Sequence, residues 1–505
     1  MKNISIKNNE ELIKGFLAVC DAVSETLGAE GKYAILEATD PYSPPIITKD
    51  GISVARQIFF PEKFNNIGAF LAKQVATKTL VKSGDSTTTS LVLAKGFIEK
   101  SNGVFNKAVE RGIQAGYEEV LQKLNSHSQQ VTPQTLKSIA TISANNDEKI
   151  GQIIIDAYDA VGLDGLIEVR EDFDSPNTVL EVSKGMVVNA GYASPWLINN
   201  QSNATWVNDD VLVVCVEAYG IDEELDNFLT ENKSKPILLI MERFDENLLS
   251  KLEGLVVKGI LNLCLLQAPD FDKKRRALLE DVALYTDGEV YIKGTSDKVV
   301  CGKADRVIVY EGRTEIIKKE IGEKVTNRIS ELRQQLESVQ DKDFIKRRIQ
   351  KLEGKSCTIK VGGFTQSESK ERFDRVEDAV SAVKSAKEEG WVAGGGSALV
   401  YISGQMQQTF ENKDEQNGYD LVKQVIQTPF KQIISNANRE KKTEDYLEPT
   451  LKTYGAGYNA KTDKVSNLIE DGVLDSTKSI RVALDNAKSV AVQLLNVGVI
   501  VTYSN

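Results

Sequence analysis

From about residue 205 to residue 310, short apolar runs alternate with helical patterns, and this alternation limits the possible folds more than any other feature of the chain. The runs are VLVVCVE, PILLIM, LNLCLLQ and RVIVYEG. Strands that alternate with helices are typical of an α/β domain. Mainly helical periodicity precedes and follows this region. We therefore predict an α/β domain inserted into an outer, mainly helical domain that both ends of the chain build.

The regions around the insert carry two local predictions. The β-rich runs KYAILEA and PPIITKDGISVA lie near the N-terminus, and the pair Asp50-Gly51 predicts a turn between strands. The charged stretch that starts at Arg328 carries two apolar stripes, which predict a helical hairpin that bends near residues 341–343. No repeat with a period of about 20–50 residues is found, so a solenoid is not expected.

Composition excludes several classes of protein. The net charge is −11, from 73 acidic and 62 basic residues, which argues against a nucleic acid or an anionic membrane bound through charge. A single histidine, His127, leaves no basis for imidazole catalysis. The five cysteines are far apart and lie mostly in apolar runs, so we expect buried thiols in a reducing compartment. No targeting segment and no apolar run of transmembrane length is found, which predicts a soluble, cytoplasmic protein.

Two glycine-containing motifs do not satisfy the nucleotide-binding fingerprints that they resemble. The triplet GKS at 354–356 looks like half a P-loop, but Ile349 stands where the upstream glycine is required. The stretch GAGYNA at 455–460 fits a dinucleotide fingerprint, yet no convincing strand precedes it and no acidic residue follows at the required distance. The GKS triplet is interpreted as a coincidence, and GAGYNA is weak as a dinucleotide fingerprint.

The stretch GDSTTT, residues 84–89, directly precedes a helical pattern in SLVLAKGFIEK. Asp85 stands where an N-cap is expected, and the hydroxyl groups fall in the first turn. Capping alone explains this pattern. An anion site explains it as well, because unpaired N–H groups and the positive end of the helix dipole face outward there. The stretch by itself leaves both interpretations open.

Four aspartates stand at special places rather than in runs of charge. Asp50 lies in ITKDG, Asp85 in GDSTTT, Asp378 in RVEDAV and Asp475 in GVLDSTK. Singly, each is explained by a turn, an N-cap or a solvated helix face. Together they fit metal-dependent phosphate chemistry, in which one carboxylate holds Mg²⁺, another activates water, and glycine loops admit the phosphates.

The chain resembles the group I, bacterial-type chaperonins along nearly its whole length. The matching stretches occur in the order of the family and at approximately its spacing. They are DAVSETLGAEGKYAILE, PPIITKDGISVARQI, KSGDSTTTSLVLAKG, TISANNDEKIG, GYASPWLIN, APDFDKKRRALLEDVA, VEDAVSAVKSAKEEGWVAGGGSAL, GYNAKTDKVSNLIEDGVLDSTK and VALDNAKSVA.

This resemblance implies a multi-domain α+β architecture. Residues 1–127 and 389–505 would form a mainly helical equatorial domain that binds ATP. Residues 128–183 and 357–388 would form a small intermediate α/β hinge domain, and residues 184–356 an inserted α/β apical domain. The apical domain would bind substrate and a co-chaperonin. The family also implies homo-oligomeric, seven-membered rings that enclose non-native polypeptides.

The resemblance also assigns roles to single residues. Asp50 would help to position the attacking water, Asp378 would be the catalytic carboxylate, and Asp85 would hold Mg²⁺, with K⁺ also used at the pocket. The other nucleotide-binding positions would be Thr26, Leu27, Gly28, Ala29, Lys49, Ser86, Thr87, Thr88, Thr89, Gly394, Gly395, Asn459, Ala460, Lys461 and Asp475. The apolar substrate groove would use Tyr192, Leu197, Leu225, Phe228 and Leu249.

The chain departs from the family pattern at several of these places. Ala29 replaces a proline, which frees a φ angle in the phosphate loop. Ser86 replaces a glycine, which weakens nucleotide binding if that position requires a positive φ. Where the family has paired valines in the groove, the alignment gives Glu253-Gly254, although a small register shift gives Leu255-Val256 instead. The last residues given, VIVTYSN, do not match the flexible tail rich in glycine and methionine that is common in bacterial members.

Three functions are compatible with these observations. The first is an ATP-driven chamber in which proteins fold. The second is a diverged paralogue that keeps the ring fold but has a specialised interaction or regulatory role. The departures favour the paralogue, whereas the presence of all four aspartates opposes it. The third, an unrelated Mg²⁺-dependent kinase or phosphohydrolase, explains the carboxylates but not the resemblance.

Overall fold

The structure of the chain is a computed structural model that describes residues 4–7, 9–37, 45–101, 103, 105–162, 166–172, 175–201, 204–336, 341–437 and 443–503. The described chain divides into two compact units. Unit 1 comprises the chain up to Asp156, Val169–Val179, and the chain from Lys360 onward. Unit 2 comprises Ala157–Glu168 and Leu180–Ile359. None of the helices in the described ranges is long and apolar enough to cross a membrane.

Helices dominate both ends of the chain, as their periodicity predicts. The helices are α1 (Glu10–Ser24), α2 (Gly51–Gln57), α3 (Lys63–Ser83), α4 (Thr87–Lys100), α5 (Lys107–His127), α6 (Pro133–Ser143), α7 (Glu148–Val161), α8 (Glu223–Glu231), α9 (Glu246–Val257), α10 (Asp272–Tyr285), α11 (Glu323–Gln335), α12 (Lys342–Leu352), α13 (Gln366–Glu389), α14 (Ser397–Gln405), α15 (Lys413–Val425), α16 (Thr428–Ala437), α17 (Glu444–Lys452) and α18 (Thr477–Leu495).

The longer strands are concentrated between residues 166 and 362. The strands are β1 (Ile4–Lys7), β2 (Ala34–Leu36), β3 (Ile46–Thr48), β4 (Leu166–Asp172), β5 (Val179–Lys184), β6 (Met186–Val188), β7 (Trp206–Tyr219), β8 (Pro236–Arg243), β9 (Asn262–Gln267), β10 (Val290–Ile292), β11 (Gly302–Val309), β12 (Thr314–Ile317), β13 (Lys355–Gly362), β14 (Trp391–Ala393), β15 (Ala456–Asn459), β16 (Lys464–Asn467), β17 (Leu474–Ser476) and β18 (Ile500–Tyr503). Strands β4, β13 and β5 form a three-stranded sheet in that order.

Unit 1 has a helical core to which both chain ends contribute. Helix α1 packs on α3, α5 packs on α15, and α18 packs on α4. Glycines bring the backbones of α1 and α3 into contact: a Cβ on Gly15 would lie 2.0 Å from the Asn65 carbonyl oxygen, and one on Gly68 would lie 1.9 Å from the Leu12 carbonyl oxygen. Both distances are far inside van der Waals contact, so only glycine fits at this crossing.

Unit 2 is built on one mixed sheet with the strand order β6-β12-β11-β7-β8-β9, and β10 also pairs with β7. Strands β7, β8 and β9 are parallel. Their apolar runs are buried in the core, as is typical of strands covered on both faces. The predicted α/β insert is therefore confirmed, and so is the multi-domain α+β fold class. The domain boundaries implied by the resemblance remain predictions.

A buried ion pair lies among the helices of unit 2. The side chain of Asp281 on α10 is 3% exposed. Its two carboxylate oxygens accept hydrogen bonds of 2.6 and 2.7 Å from the guanidinium of Arg348 on α12, and Arg328 on α11 lies 3.9 Å away. Helices α11 and α12 pack on each other, which agrees with the predicted helical hairpin. Residues 337–340, within the connection between them, lie outside the described residues.

One local prediction was wrong. Asp50-Gly51 does not form a turn between strands, because the chain passes from β3 directly into α2. Asp50 is the N-cap of that helix, and its side chain accepts hydrogen bonds from the backbone N–H groups of Ile52 and Ser53. An aspartate at an N-cap satisfies donors that the first helical turn leaves unpaired, so the same residue pair serves a helix start as well as a turn.

The cysteines lie where their apolar surroundings suggest. All five are unpaired, and all except Cys301 are buried. Burial disfavours the thiolate and raises the pKa of Cys215 to about 12. These thiols are therefore part of the packing.

Candidate active site

A cavity of about 230 Å³ lies within unit 1. Loops at the starts of α2, α4 and α14 contribute to its wall, together with one side of α13 and the chain around β15 and β17. Every nucleotide-binding or catalytic position implied by the resemblance lines this cavity, except Gly394. Positions from Thr26 to Asp475 thus come together around one space, although the sequence separates them by more than four hundred residues.

The start of α4 has an unusual geometry. Gly84 ends α3 with a φ of 71°, and Ser86 is the N-cap of α4 with a φ of 67°. The prediction that Asp85 caps this helix was wrong by one residue. The Asp85 carboxylate instead accepts hydrogen bonds from the Ser86 backbone N–H and, at 3.2 Å, from the Ser143 hydroxyl. Ser86 therefore occupies a left-handed conformation that glycine adopts without strain.

The Asp85 carboxylate, to which the resemblance assigns Mg²⁺, lies in the cavity wall just before α4. Desolvation in the cavity raises the pKa of its carboxyl group, its two hydrogen bonds act in the opposite direction, and the charge of Asp50 raises the pKa further. Among the described residues, no group of three histidines, cysteines or carboxylates could hold a metal ion alone. This arrangement suits Mg²⁺, which usually takes one or two carboxylates and completes its shell with phosphate oxygens and water.

Asp50 and Lys49 are held by the local backbone. Besides the N-cap hydrogen bonds, the Asp50 carboxylate accepts one of 2.5 Å from the Ser53 hydroxyl. The Lys49 ammonium donates to the Ala29 carbonyl oxygen at 3.3 Å, and desolvation lowers its pKa. The Lys49 cation therefore lies beside the loop of residues 26–29, where it can attract an anion.

The Asp378 carboxylate differs from the other three in its surroundings. It projects from α13 into the cavity, and no hydrogen-bond donor of the described chain reaches it. Desolvation raises its pKa well above the usual range, and the negative charges of Asp85 and Asp50 raise it further. A carboxylate that is left without donors is available to accept a proton.

Asp475 lies in β17, and the N-cap of α18 is the next residue, Ser476, so capping does not explain Asp475. Its carboxylate accepts hydrogen bonds from the backbone N–H groups of Gly395 and Gly396. Desolvation and the charge of Asp85 nevertheless raise its pKa to about 7. Gly394 contributes to the fold instead, because its N–H donates to the Val473 carbonyl oxygen at 2.8 Å.

The side chain of Asn459 is fully engaged at the end of the cavity formed by β15. Its amide nitrogen donates to Asp471 at 2.7 Å, and its oxygen accepts from the Lys461 backbone N–H at 3.0 Å. The Lys461 ammonium lies 3.6 Å from Glu148 at the start of α7, and both side chains are largely exposed. This part of the wall is therefore shaped mainly by fixed backbone.

The residues assigned to the substrate groove lie in unit 2 and differ in accessibility. Leu197 and Leu225 are 0% exposed and belong to the core. Tyr192, Phe228 and Leu249 are half-buried and pack against that core. Leu197 and Leu225 therefore lie beneath the surface of unit 2, and Tyr192, Phe228 and Leu249 are partly exposed on that surface.

Sequence reasoning missed an exposed aromatic residue in this region. Trp196 is 69% exposed, in a short helical turn that packs on α9. Glu253 and Gly254 are half-buried on α9, and a Cβ on Gly254 would meet no atom within 4 Å. Leu255 and Val256 are also half-buried and pack against the core. The charge of Glu253 thus lies on the same helix as the apolar positions.

Further residues of the cavity wall were also missed. They include Ser143, Asn145, Asn146, Glu371, Asp374, Arg375 and Gly396. Helical spacing from Asp378 could have found three of them, because positions three, four and seven residues earlier lie on the same face of α13. The contact between Ser143 and Asp85 had no signal in the sequence.

Comparisons with known proteins agree with this fold. The model of the TCP-1/cpn60 chaperonin family matches residues 19–504. Among solved structures, the chain is similar to the chaperonin gp146 from the bacteriophage EL 2 (Pseudomonas aeruginosa), crystallised in the presence of ATP-BeFx. Crystal form I gives a TM-score of 0.73 with 23% sequence identity over 99% of each chain. Crystal form II gives 0.66 with the same identity and coverage.

Proposed function

The chain belongs to the TCP-1/cpn60 chaperonin family, and we propose that it is an ATP-hydrolysing subunit that binds non-native polypeptides and promotes their folding. In finer detail, we propose the group I type, with seven-membered rings, a co-chaperonin cap, Mg²⁺ and K⁺ at the pocket, and a cytoplasmic location. The proposed hinge and apical domains would transmit the state of the nucleotide to the polypeptide.

One observation carries the proposed reaction: the Asp378 carboxylate faces the cavity without a hydrogen-bond donor among the described residues. The N-terminal turn of α4 and the loop of residues 26–29 offer backbone N–H groups and hydroxyls to the phosphates. Lys49 adds a cation beside that loop. Asp378 would then take the proton of a water molecule as the water attacks the terminal phosphate.

Asp85 would hold the magnesium ion, and Ser143 would keep its carboxylate oriented. When bound, Mg²⁺ neutralises charge that develops on the phosphate oxygens. Asp475, fixed by two glycine N–H groups, would accept hydrogen bonds from the ribose hydroxyls. The phage chaperonin was crystallised in the presence of ATP-BeFx, which supports the proposal that this chain binds a nucleotide.

In unit 2 we propose that non-native segments bind along α8 and α9. Tyr192, Phe228 and Leu249 would offer partly exposed apolar surface, and the exposed indole of Trp196 would add to it. Apolar surface of this kind is what an unfolded segment recognises. Glu253 would weaken binding of the most apolar segments.

The alternative is a diverged paralogue with a specialised interaction role and weak general folding activity. The left-handed backbone at Ser86 favours it, because a side chain there strains the phosphate loop. The charge of Glu253 on α9 favours it also.

Steady-state ATP hydrolysis with Mg²⁺ and K⁺ tests the proposed reaction. We expect Asp378→Ala to lower kcat by roughly 10²–10⁴-fold, the range for loss of a positioned general base. The matched control is Glu377→Ala, which removes the neighbouring acidic residue, exposed and outside the cavity wall. Equal turnover in both variants would overturn the assignment.

Refolding of an aggregation-prone protein, with and without a co-chaperonin, separates the two candidate functions. Turnover together with refolding supports the folding chamber. Turnover without refolding favours the paralogue. Native mass spectrometry of the full chain tests the ring, for which we expect seven subunits.

A further inference from the structure

Asp374 is an acidic residue of the cavity wall to which the proposed reaction gives no role. It lies on α13 four residues before Asp378, and both line the same cavity. Residues four apart on a helix are neighbours on one face, with Cβ atoms about 5–6 Å apart. The Asp374 side chain is 17% exposed, so it contacts water as well as the cavity.

Charged groups of both signs surround this carboxylate. Lys370, one turn earlier on α13, lies 3.1 Å from an Asp374 oxygen and 3.7 Å from Glu171 on β4. Asp50 at the start of α2 and Glu377 on α13 act on it with negative charge. Desolvation is the largest effect and raises the pKa of Asp374 to about 6, although Lys370 acts in the opposite direction. A group with this pKa is mostly ionised at neutral pH but accepts and releases a proton readily.

Hydrolysis leaves a proton at Asp378 that must depart before the next turnover. As the water oxygen bonds to the terminal phosphorus, the bond from phosphorus to the bridging oxygen breaks, and its electron pair goes to ADP. The water proton goes to the Asp378 carboxylate. Asp378 lies in the wall of the cavity, so this proton must leave its carboxylate before another water molecule can be activated.

We propose that Asp374 accepts this proton from Asp378, directly or through one water molecule, and releases it to bulk solvent. The inference rests on the proposed ATP hydrolysis by this site. The proton leaves the Asp378 oxygen, bonds to an Asp374 oxygen, and then passes to water at the exposed edge of that side chain. Asp378 returns to its ionised form, and no other reactant is required. Asp374 thus acts through Asp378.

A structural role for Asp374 makes a different prediction. Ion pairs at this helical spacing stabilise a helix only slightly. If Asp374 served only to pair with Lys370, then Lys370→Met would have the same effect on turnover as Asp374→Asn. A small buffer molecule would restore neither variant.

The experiment measures steady-state hydrolysis of Mg-ATP over many turnovers by the full-length protein, because the proposed transfer regenerates Asp378 between turnovers. Asp374→Asn keeps the size of the side chain but removes the proton acceptor, and Glu377→Gln is the control on the outer face of the same helix. We expect Asp374→Asn to slow hydrolysis by at least about tenfold, with KM and thermal stability unchanged. We expect Glu377→Gln to remain close to the wild type, and Lys370→Met to slow hydrolysis much less than Asp374→Asn does.

Chemical rescue is the decisive measurement. Imidazole should restore the rate of Asp374→Asn in proportion to its concentration, because a diffusible buffer can carry the proton instead. It should have little effect on the wild type or on Asp378→Ala, which lacks the first acceptor. The proposed proton transfer to Asp374 would be overturned if Asp374→Asn hydrolysed ATP at the wild-type rate. It would also be overturned if this variant were slow and imidazole did not change its rate.

These experiments distinguish failure of the proposed proton transfer to Asp374 from failure of the proposed ATP hydrolysis. Suppose that the wild type hydrolyses ATP, that Asp378→Ala does not, and that Asp374→Asn has the wild-type rate. This result contradicts only the proposed proton transfer to Asp374. A wild type without hydrolysis contradicts both.

Discussion

In unit 2 the buried Asp281 carboxylate receives two hydrogen bonds from Arg348, whereas in unit 1 the carboxylates of Asp85, Asp378 and Asp475 share one cavity and form no ion pair within the described chain. At both places, negatively charged side chains are buried away from water. Burial raises the pKa of both Asp281 and Asp378. Arg348 opposes this rise at Asp281, whereas the charges of Asp85 and Asp50 add to it at Asp378.

This difference between the two units distinguishes buried charge that is paired within the fold from buried charge that is available to a ligand. A buried carboxylate with a bidentate arginine is neutralised within the protein. Carboxylates that lack such a partner leave the ligand-free cavity electrostatically unfavourable and favour a cation that enters it. Asp281 therefore has the environment of a structural residue, and the cavity has the environment of a binding site.

The largest effect is expected at Asp281, because its buried negative charge is neutralised by arginine. Asp281→Ala leaves two arginines without their buried partner and should lower the free energy of unfolding by about 3–5 kcal/mol. Urea unfolding of the full-length protein measures this. Asp226→Ala is the control, because Asp226 pairs with Lys251 on the surface of the same unit and should cost under about 1 kcal/mol. Equal losses in the two variants would remove the distinction between the units.

The pH dependence of stability provides the second test. The pKa of Asp475 rises from its usual value of 3.8 to about 7 in the folded protein. Between those values the folded state binds more protons than the unfolded state, so the free energy of unfolding falls as the pH rises. In the absence of nucleotide we expect the protein to be less stable at pH 8 than at pH 5, by about 2 kcal/mol from this group.

Urea unfolding at the two pH values checks this expectation, and Asp475→Asn should reduce the difference because asparagine does not titrate. Mg-ATP should reduce it as well, since the ligand makes the ionised form favourable. A stability that rises with pH, or a slope that Asp475→Asn leaves unchanged, would contradict the interpretation of the cavity.

The smallest effect concerns the strained start of α4. Ser86→Gly removes the Cβ from a left-handed residue and should raise the free energy of unfolding by about 0.5–1 kcal/mol. We also expect tighter nucleotide binding, measured by calorimetry. Ser86→Ala keeps the Cβ and removes only the hydroxyl, so it should show neither gain. If both variants bind more tightly, the hydroxyl rather than the backbone limits affinity.

The fold was more predictable than the details of the site. Apolar strand runs bounded by helices identified the inserted α/β unit, because burial on both faces demands that composition. The position of Ser86 in the helix cap depends on a single φ angle, which the letters GDSTTT do not encode. The hydrogen bond between Ser143 and Asp85 joins residues 58 positions apart. Likewise, the periodicity of α8 shows which face is apolar, but only the packed unit shows that Leu225 is buried within it.

The glycine crossing of α1 and α3 has a mechanical consequence. Carbonyl oxygens of each helix occupy the space where the other helix would carry a Cβ atom at any residue except glycine. Neither helix can therefore shift along the other without a steric clash. We therefore expect a displacement of one helix to carry the other with it.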